Sequence, residues 1–353
     1  MLNKFRFLTA GESHGKCLTA IIEGLPAGFD IDPAFINEEL KRRQSGYGRG
    51  ARMQIECDTV EITSGVRFGK TLGSPLTLVI QNKDYENWQK IMSIYAEDLN
   101  SEKSFTKCRP GHADYAGSIK YNFKDLRNIL ERSSARKTAI EVAVGAVAKQ
   151  ILKEFDIKCS SEIIQIGQGK TEEEFHAEID KAKQAGDTLG GKFKVVYDNL
   201  PVGLGSHVHW DRMLDGKIAQ AVMSVPAVKS VSIGNNHAYK MFGSEFHDEM
   251  FLEDGKVVRK TNNAGGIEGG MTNGEPLVVT AVMKPIPTLR KPLRTVDLSS
   301  MEECEAHFER SDTCAVEACA VVTEARIACV LLDEFLMKFG GDNSDEILEK
   351  YRK

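Results

Sequence analysis

Apolar residues along this chain follow two periods. Ile140, Ala143, Val144, Val147, Ile151 and Phe155 recur at helical spacing and predict a long helix over 133–155, opened by serines suited to an N-cap. The segment from Ala315 to Leu332 is nearly all apolar and predicts a buried helix over 314–339 that stops at Gly340-Gly341. Glu317, Glu324 and Arg326 interrupt it and exclude a membrane span. Asp32, Pro33 and the basic run Lys41-Arg42-Arg43 bracket a helix at 33–43. Thr171 and Glu174 have capping-box spacing at the head of a charged helix over 171–185, and another helix falls near 210–223. Strands are predicted at 5–9, 18–22, 55–64, 75–81, 159–168, 192–198, 228–233 and 277–283. Residues 99–131 are polar and weakly periodic, which predicts a long functional loop. NNAGGIEGGMTNG at 262–274 carries five glycines and predicts no regular element. Several strand signals are sequence neighbours, so the pattern implies α+β rather than strict βαβ alternation. No repeat or linker marks a boundary, and a single domain over 1–353 is expected.

Composition narrows the function classes. With 41% hydrophobic and 27% charged residues, the chain is neither disordered, collagen-like nor a membrane protein. Lys and Arg number 46 against 51 Asp and Glu, a net charge of -5. No global basic excess points to nucleic acid, so local charge must carry any binding. Eight cysteines are scattered without a CxxC pair, which reads as reduced thiols in a cytoplasmic protein. The N-terminus lacks the apolar stretch of a signal peptide.

Five segments could carry chemistry. GESHG at 11–15 matches GxSxG, but the flanking segments read as strands, whereas a nucleophile elbow needs a helix after the serine. Either His14 is the chemical group, with glycines that admit a ligand, or the segment is a turn with an incidental histidine. KRRQSGYGRGAR at 41–52 gathers Lys41, Arg42, Arg43, Arg49 and Arg52 with no acid, as an anion site or as a solvated basic face. CRPGHADY at 108–115 sets Arg109, His112 and Asp114 close together, where a carboxylate can keep an imidazole ready to donate a proton; a Pro-Gly surface turn is the alternative. RSSARKT at 132–138 places hydroxyls and arginines at a helix start, suited to phosphate or to simple capping by Ser133 or Ser134. The glycine run, KPIPT at 284–288 and ERSDTC at 309–314 can wrap a flat cofactor or serve as turns. His207 and His209 alternate as on one face of a strand near Asp211, and Cys314 and Cys319 are five apart; neither set has zinc spacing, and no metal is expected.

In order along the chain, GESHG, RRQSGYGRG, RPGHADY, ERSSARKT with AVGAVAK, NNAGGIEGGMTNG, KPIPT and RSDTCAVEA resemble chorismate synthase from residue 11 to about 330. The resemblance implies a β-α-β sandwich with central helices between antiparallel sheet layers. It implies a reaction, the 1,4-anti elimination of phosphate and a ring proton from 5-enolpyruvylshikimate 3-phosphate to give chorismate, the last common step of aromatic amino acid biosynthesis. It implies reduced FMN as cofactor, a homotetramer, and either an external flavin reductase or NADPH as the indirect reductant.

Residue roles follow by the same resemblance. His14 protonates the departing phosphate, His112 controls protonation of the reduced flavin, and Asp312 assists removal of the ring proton. Arg43 and Arg49 match loop arginines that contact NADP or substrate; Arg42, Arg109, Arg136 and Ser13 are further substrate candidates. Arg132, Ser133, Ser134, Pro226, Ala227, Gly269, Lys284, Pro285, Ile286, Pro287, Thr288 and Arg310 match flavin-binding positions. Two departures stand out. Lys137 replaces the usual Glu, and RNILE replaces a glycine-rich form before RSSAR.

Overall fold

The computed structural model describes residues 2–50, 57–99, 104–306 and 312–353. Two four-stranded antiparallel sheets enclose a helical layer. The first joins β1 (Arg6–Ala10), β2 (Cys17–Glu23), β3 (Val60–Ser64) and β4 (Leu76–Gln81) in the order β1-β2-β4-β3. The second joins β5 (Lys158–Ile166), β6 (Gly191–Asp198), β7 (Val228–Ile233) and β8 (Leu277–Met283) in the order β5-β6-β8-β7. The period-2 pattern explains the inward faces. Leu18, Ala20 and Ile22 on β2 and Leu76, Leu78 and Ile80 on β4 are buried, as are Phe193, Val195 and Tyr197 on β6.

Between the sheets lie α1 (Pro33–Gln44), α4 (Thr138–Lys153) and α7 (Val316–Phe339). The sandwich is thus the one expected. Helix α1 starts as its sequence predicts, with the Asp32 carboxylate accepting the Ala34 amide at 2.8 Å. Helix α4 is buried around nearly its whole circumference rather than along one face. It touches the first sheet, β5, α1 and α7 at once, which no single stripe could satisfy. Gly145 lets α4 and α7 close up, since a Cβ there would lie 2.3 Å from that of Ala325. The charges inside α7 are all satisfied. Glu324 receives Arg42 at 2.9 Å and Lys149 at 2.5 Å, and Arg326 meets Glu141 at 2.7 Å. Asp333 accepts the amides of Asn3, Lys4 and Phe5.

Several expectations are corrected. The 99–131 region is not one loop, for it contains α2 (Asp114–Tyr121) and α3 (Arg127–Ser133). Short helices of one or two turns leave little periodicity to read. The long helix starts at 138, not 133, because extended Ser134 separates α3 from a 3-10 turn at 135–137. The glycine run forms a short hairpin, Ile267–Glu268 with Met271–Thr272. Residues 207–209 bend into a 3-10 turn at 210–212 instead of forming a strand. Helix α5 (Glu172–Gln184) carries the expected capping box, and α6 (Leu214–Met223) begins after that 3-10 turn. Helix α8 (Ser344–Arg352) and the hairpins 250–259 and 294–305 left no sequence expectation. No helix among the described residues is long and apolar enough to cross a membrane.

Candidate active site

The strand register places the first histidine. β1 and β2 are joined by the GESHG turn, and Cys17 pairs with Gln81, so Asn82 lies beside that turn. The Asn82 amide side chain donates to the carbonyls of Glu12 at 3.1 Å and Gly15 at 2.7 Å. Gly11 has φ of 107°, and a Cβ there would lie 2.3 Å from the Cys17 carbonyl, so only glycine allows this tight entry. A strand, not a helix, follows Ser13, so the turn is not a nucleophile elbow. Arg132 braces it by donating to the carbonyls of Gly11 at 3.0 Å and Thr9 at 2.8 Å.

His14 is held on its Nδ1 side. Glu131, buried on α3, has Oε1 3.0 Å and Oε2 3.1 Å from Nδ1, and Oε2 accepts the His14 amide at 2.8 Å. Burial opposes ionisation of Glu131, but the His14 hydrogen bonds and the Arg127 charge outweigh it and hold the carboxyl below the usual range. The imidazole lies 4.1 Å from the Trp88 ring, centroid to centroid.

Asn82 Oδ1 accepts from Arg136 Nε at 2.9 Å and so links the turn to a buried charge cluster. Asp58 binds Arg136 Nη1 at 2.7 and 2.9 Å and Arg43 Nη2 at 3.1 Å. Arg43 also donates to Thr138 at 3.3 Å. Here two guanidiniums share one carboxylate, a local excess of positive charge. Burial, opposed by Asp58 and assisted by the charges of Arg136 and Arg49, lowers Arg43 to about 10. Among the described residues, buried Arg43 Nε has no hydrogen-bond partner. This is an environment that favours an anion.

Arg49 and Asp312 meet in a third group. Asp312 Oδ2 is 3.0 Å from Arg49 Nη1, and Oδ1 accepts the Gly50 amide at 2.6 Å. Tyr47 anchors this loop by donating to Asp180 at 2.9 Å and stacking on His176 at 4.1 Å.

The RPGH turn forms the second histidine's surroundings. Arg109 grips the buried Asp114 through Nε and Nη2, both at 2.8 Å, and His112 Nδ1 lies 3.1 Å from the same carboxylate. Burial raises Asp114, but hydrogen bonds from Arg109 and His112 prevail and keep it well below the carboxylate range. Lys284 donates to the Gly111 carbonyl at 2.5 Å, and its amide donates to Ala227 at 2.9 Å. KPIPT, the 226–227 turn and the His112 turn therefore adjoin. The Ile286 carbonyl accepts from Thr188, and Thr288 is buried. Ala227 adopts φ of 69°.

Other candidates sit elsewhere or are engaged. The fork of Arg42 is taken by Glu324 and Glu39, inside the helix layer. Ser133 donates to Leu130, while Ser134 accepts the Arg136 amide as a cap. Gly269 turns the short hairpin, with no described residue within 4 Å of where a Cβ would stand. Arg310 and Arg52 lie outside the described residues. His209 pairs with Asp211 at 2.7 Å on the surface, and no group of three metal-ligating side chains forms among the described residues. Sequence reading missed Asp58, Asn82, Trp88 and Glu131. Only Glu131 left a trace, in the unusual RNILE segment.

Comparison with known proteins identifies the family. The chorismate synthase family model matches residues 5–336. The chorismate synthase of Thermoanaerobacter pseudethanolicus is 57% identical over 348 residues, covering 98% of this chain and 97% of the relative. That of Aquifex aeolicus is 52% identical over 386 aligned positions, covering 99% and 97%. A crystal structure of chorismate synthase superposes with a TM-score of 0.80 at 42% identity and covers all of this chain and 97% of the other. Motif order, fold and full-length similarity agree, and the chain belongs to the chorismate synthase family.

Proposed function

We infer that this chain catalyses the 1,4-anti elimination of phosphate from 5-enolpyruvylshikimate 3-phosphate to give chorismate, with reduced FMN as cofactor. The observation that carries the reading is the continuity between His14 and the Arg43-Arg136-Asp58 cluster through Asn82. A proton donor thus stands beside a buried positive excess, which suits a departing phosphate. The substrate carries one phosphate and two carboxylates, so it calls for several guanidiniums. Arg43, Arg136 and Arg49 supply them, with side chains that are largely buried.

In the step, the ring C–O bond to phosphate breaks, a ring C–H bond breaks, and a new double bond forms. His14 Nε2–H gives its proton to the leaving phosphate oxygen. Asp312, beside Arg49, would assist removal of the ring proton, and His112 would control protonation of the reduced flavin. The surroundings fit a flat anionic cofactor. Lys284 and the 226–227 turn meet beside His112. Arg132, Ser133, Ser134, Pro226, Ala227, Gly269, Lys284, Pro285, Ile286, Pro287, Thr288 and Arg310 would hold it. When bound, a reduced flavin would supply a reversible electron for C–O cleavage and a base for the ring proton, which leaves the reaction redox-neutral. We further propose that the enzyme is a cytoplasmic homotetramer whose flavin is reduced either by an external reductase or indirectly by NADPH. A non-catalytic flavin- or anion-binding homologue finds no support, because the chain matches enzymes over its full length.

His14→Ala tests the central role. It should lower kcat by about 10²–10⁴, the usual range for a lost general acid, while FMN and substrate still bind. Full turnover in His14→Ala, or loss of flavin binding along with activity, would contradict the assignment.

A further inference from the structure

We propose that Glu131 is a positioning residue for His14: its carboxylate accepts the hydrogen bond of Nδ1–H and reserves Nε2 for the phosphate. The proposal deepens the reading above and rests on it. Three observations carry it. First, both carboxylate oxygens lie within 3.1 Å of Nδ1, and one also accepts the His14 amide, so ring and backbone are fixed by one group. Second, the two side chains are nearly enclosed, at 12% and 3% exposure, so water competes weakly for the contact. Third, Glu131 is itself held. Arg127, one turn earlier on α3, reaches Oε1 at 3.2 Å and lies 4.9 Å over the Trp88 ring, which also packs on His14. Asp84 fixes that ring by accepting its indole N–H at 3.0 Å.

A carboxylate only accepts hydrogen bonds, so the nitrogen facing it must carry the proton. In the neutral imidazole this leaves Nε2 as the bare nitrogen, and in the imidazolium Nε2–H is the proton that can be given away. Of the two nitrogens, only Nε2 is then free to face the phosphate, whatever the state of the ring. The same logic governs histidines oriented by a buried carboxylate in hydrolases. The RNILE segment gains a reason here. A helix in place of a glycine-rich stretch can aim a glutamate at the β1–β2 turn. The charged groups around the ring are Glu131 and Arg127 from α3 and, through Trp88, Asp84.

The test begins with the unmodified protein. Nitrogen-15 NMR of the His14 ring, assigned by its loss in His14→Ala, should show the Nδ1–H form when neutral. An Nε2–H form overturns the proposal. Glu131→Gln, close in shape, should mix the tautomers, lower kcat roughly 10²-fold or more and leave KM within a few-fold. Glu131→Asp restores the charge and should recover part of kcat despite its shorter reach. Glu131→Gln with kcat within threefold of the parent, where His14→Ala is inactive, overturns positioning but spares the function. If His14→Ala is also fully active, the functional reading itself fails. Should Glu131→Gln not fold, the ring NMR of the unmodified protein and the Glu131→Asp kinetics still decide.

Discussion

Asp58 is the most informative side chain to perturb outside the histidines. It is buried and bonded to Arg136 at 2.7 and 2.9 Å and to Arg43 at 3.1 Å. Asp58→Asn keeps the shape and one acceptor but leaves two buried guanidiniums without a counter-charge. At an effective dielectric constant near 20, each such pair contributes about 4 kcal/mol before desolvation. Breaking a buried pair on one side typically costs about 3–5 kcal/mol, a large part of a total stability of about 5–15 kcal/mol. At roughly 2 °C per kcal/mol for a chain of this size, the melting temperature should fall by about 6–10 °C. Affinity for anions should move the other way, because the local excess of positive charge grows. Inorganic phosphate should therefore inhibit the variant more strongly and recover more of its melting temperature than it does in the parent. At 100-fold above Kd, a bound anion restores about 2.7 kcal/mol. Differential scanning fluorimetry over a phosphate series reads both effects. A variant that melts within about 2 °C of the parent, or that loses stability and phosphate affinity together, would refute the reading of this cluster as an anion site.

Gly145→Ala should destabilise the protein by about 2–3 kcal/mol although alanine is the better helix former, because the new Cβ would stand 2.3 Å from Ala325. A urea midpoint at or above the parent's would contradict the close α4–α7 crossing. Acid should weaken the helix layer. Burial alone would raise Glu324, but Lys149 and Arg42 hold it at about 2, below the ordinary 4.5. A group depressed in the folded state contributes stability above its unfolded value and loses it as pH falls towards the folded one. The urea midpoint should thus drop between about pH 4.5 and 2, and Glu324→Gln should make that drop shallower. An unchanged slope in the variant would count against the Glu324-Lys149-Arg42 network.

The sandwich layers were legible where local patterning agreed with tertiary context. Helix α1 had its Asp32 cap and Pro33, α5 its capping box, and α7 its largely apolar run with a glycine stop. Boundaries failed at Ser134, where extended backbone splits what the pattern reads as one helix start. Of the site, the residue types were legible and their partners were not. Glu131 lies 117 residues from His14, and Asp58 lies 78 from Arg136. No local period encodes such contacts. Arg42 and Arg43 make the same point. On a helix, neighbours point about 100° apart. Arg42 therefore enters the helix-layer network while Arg43 reaches Asp58, a choice invisible in the string KRR.

The central claim is that this chain performs the elimination, and an anaerobic turnover assay tests it most directly. Purified protein, chemically reduced FMN and 5-enolpyruvylshikimate 3-phosphate are mixed, and chorismate and phosphate are followed together. Equal amounts of both products, formed only with reduced FMN, are the predicted result. A folded protein that binds FMN and substrate yet forms neither product would contradict it.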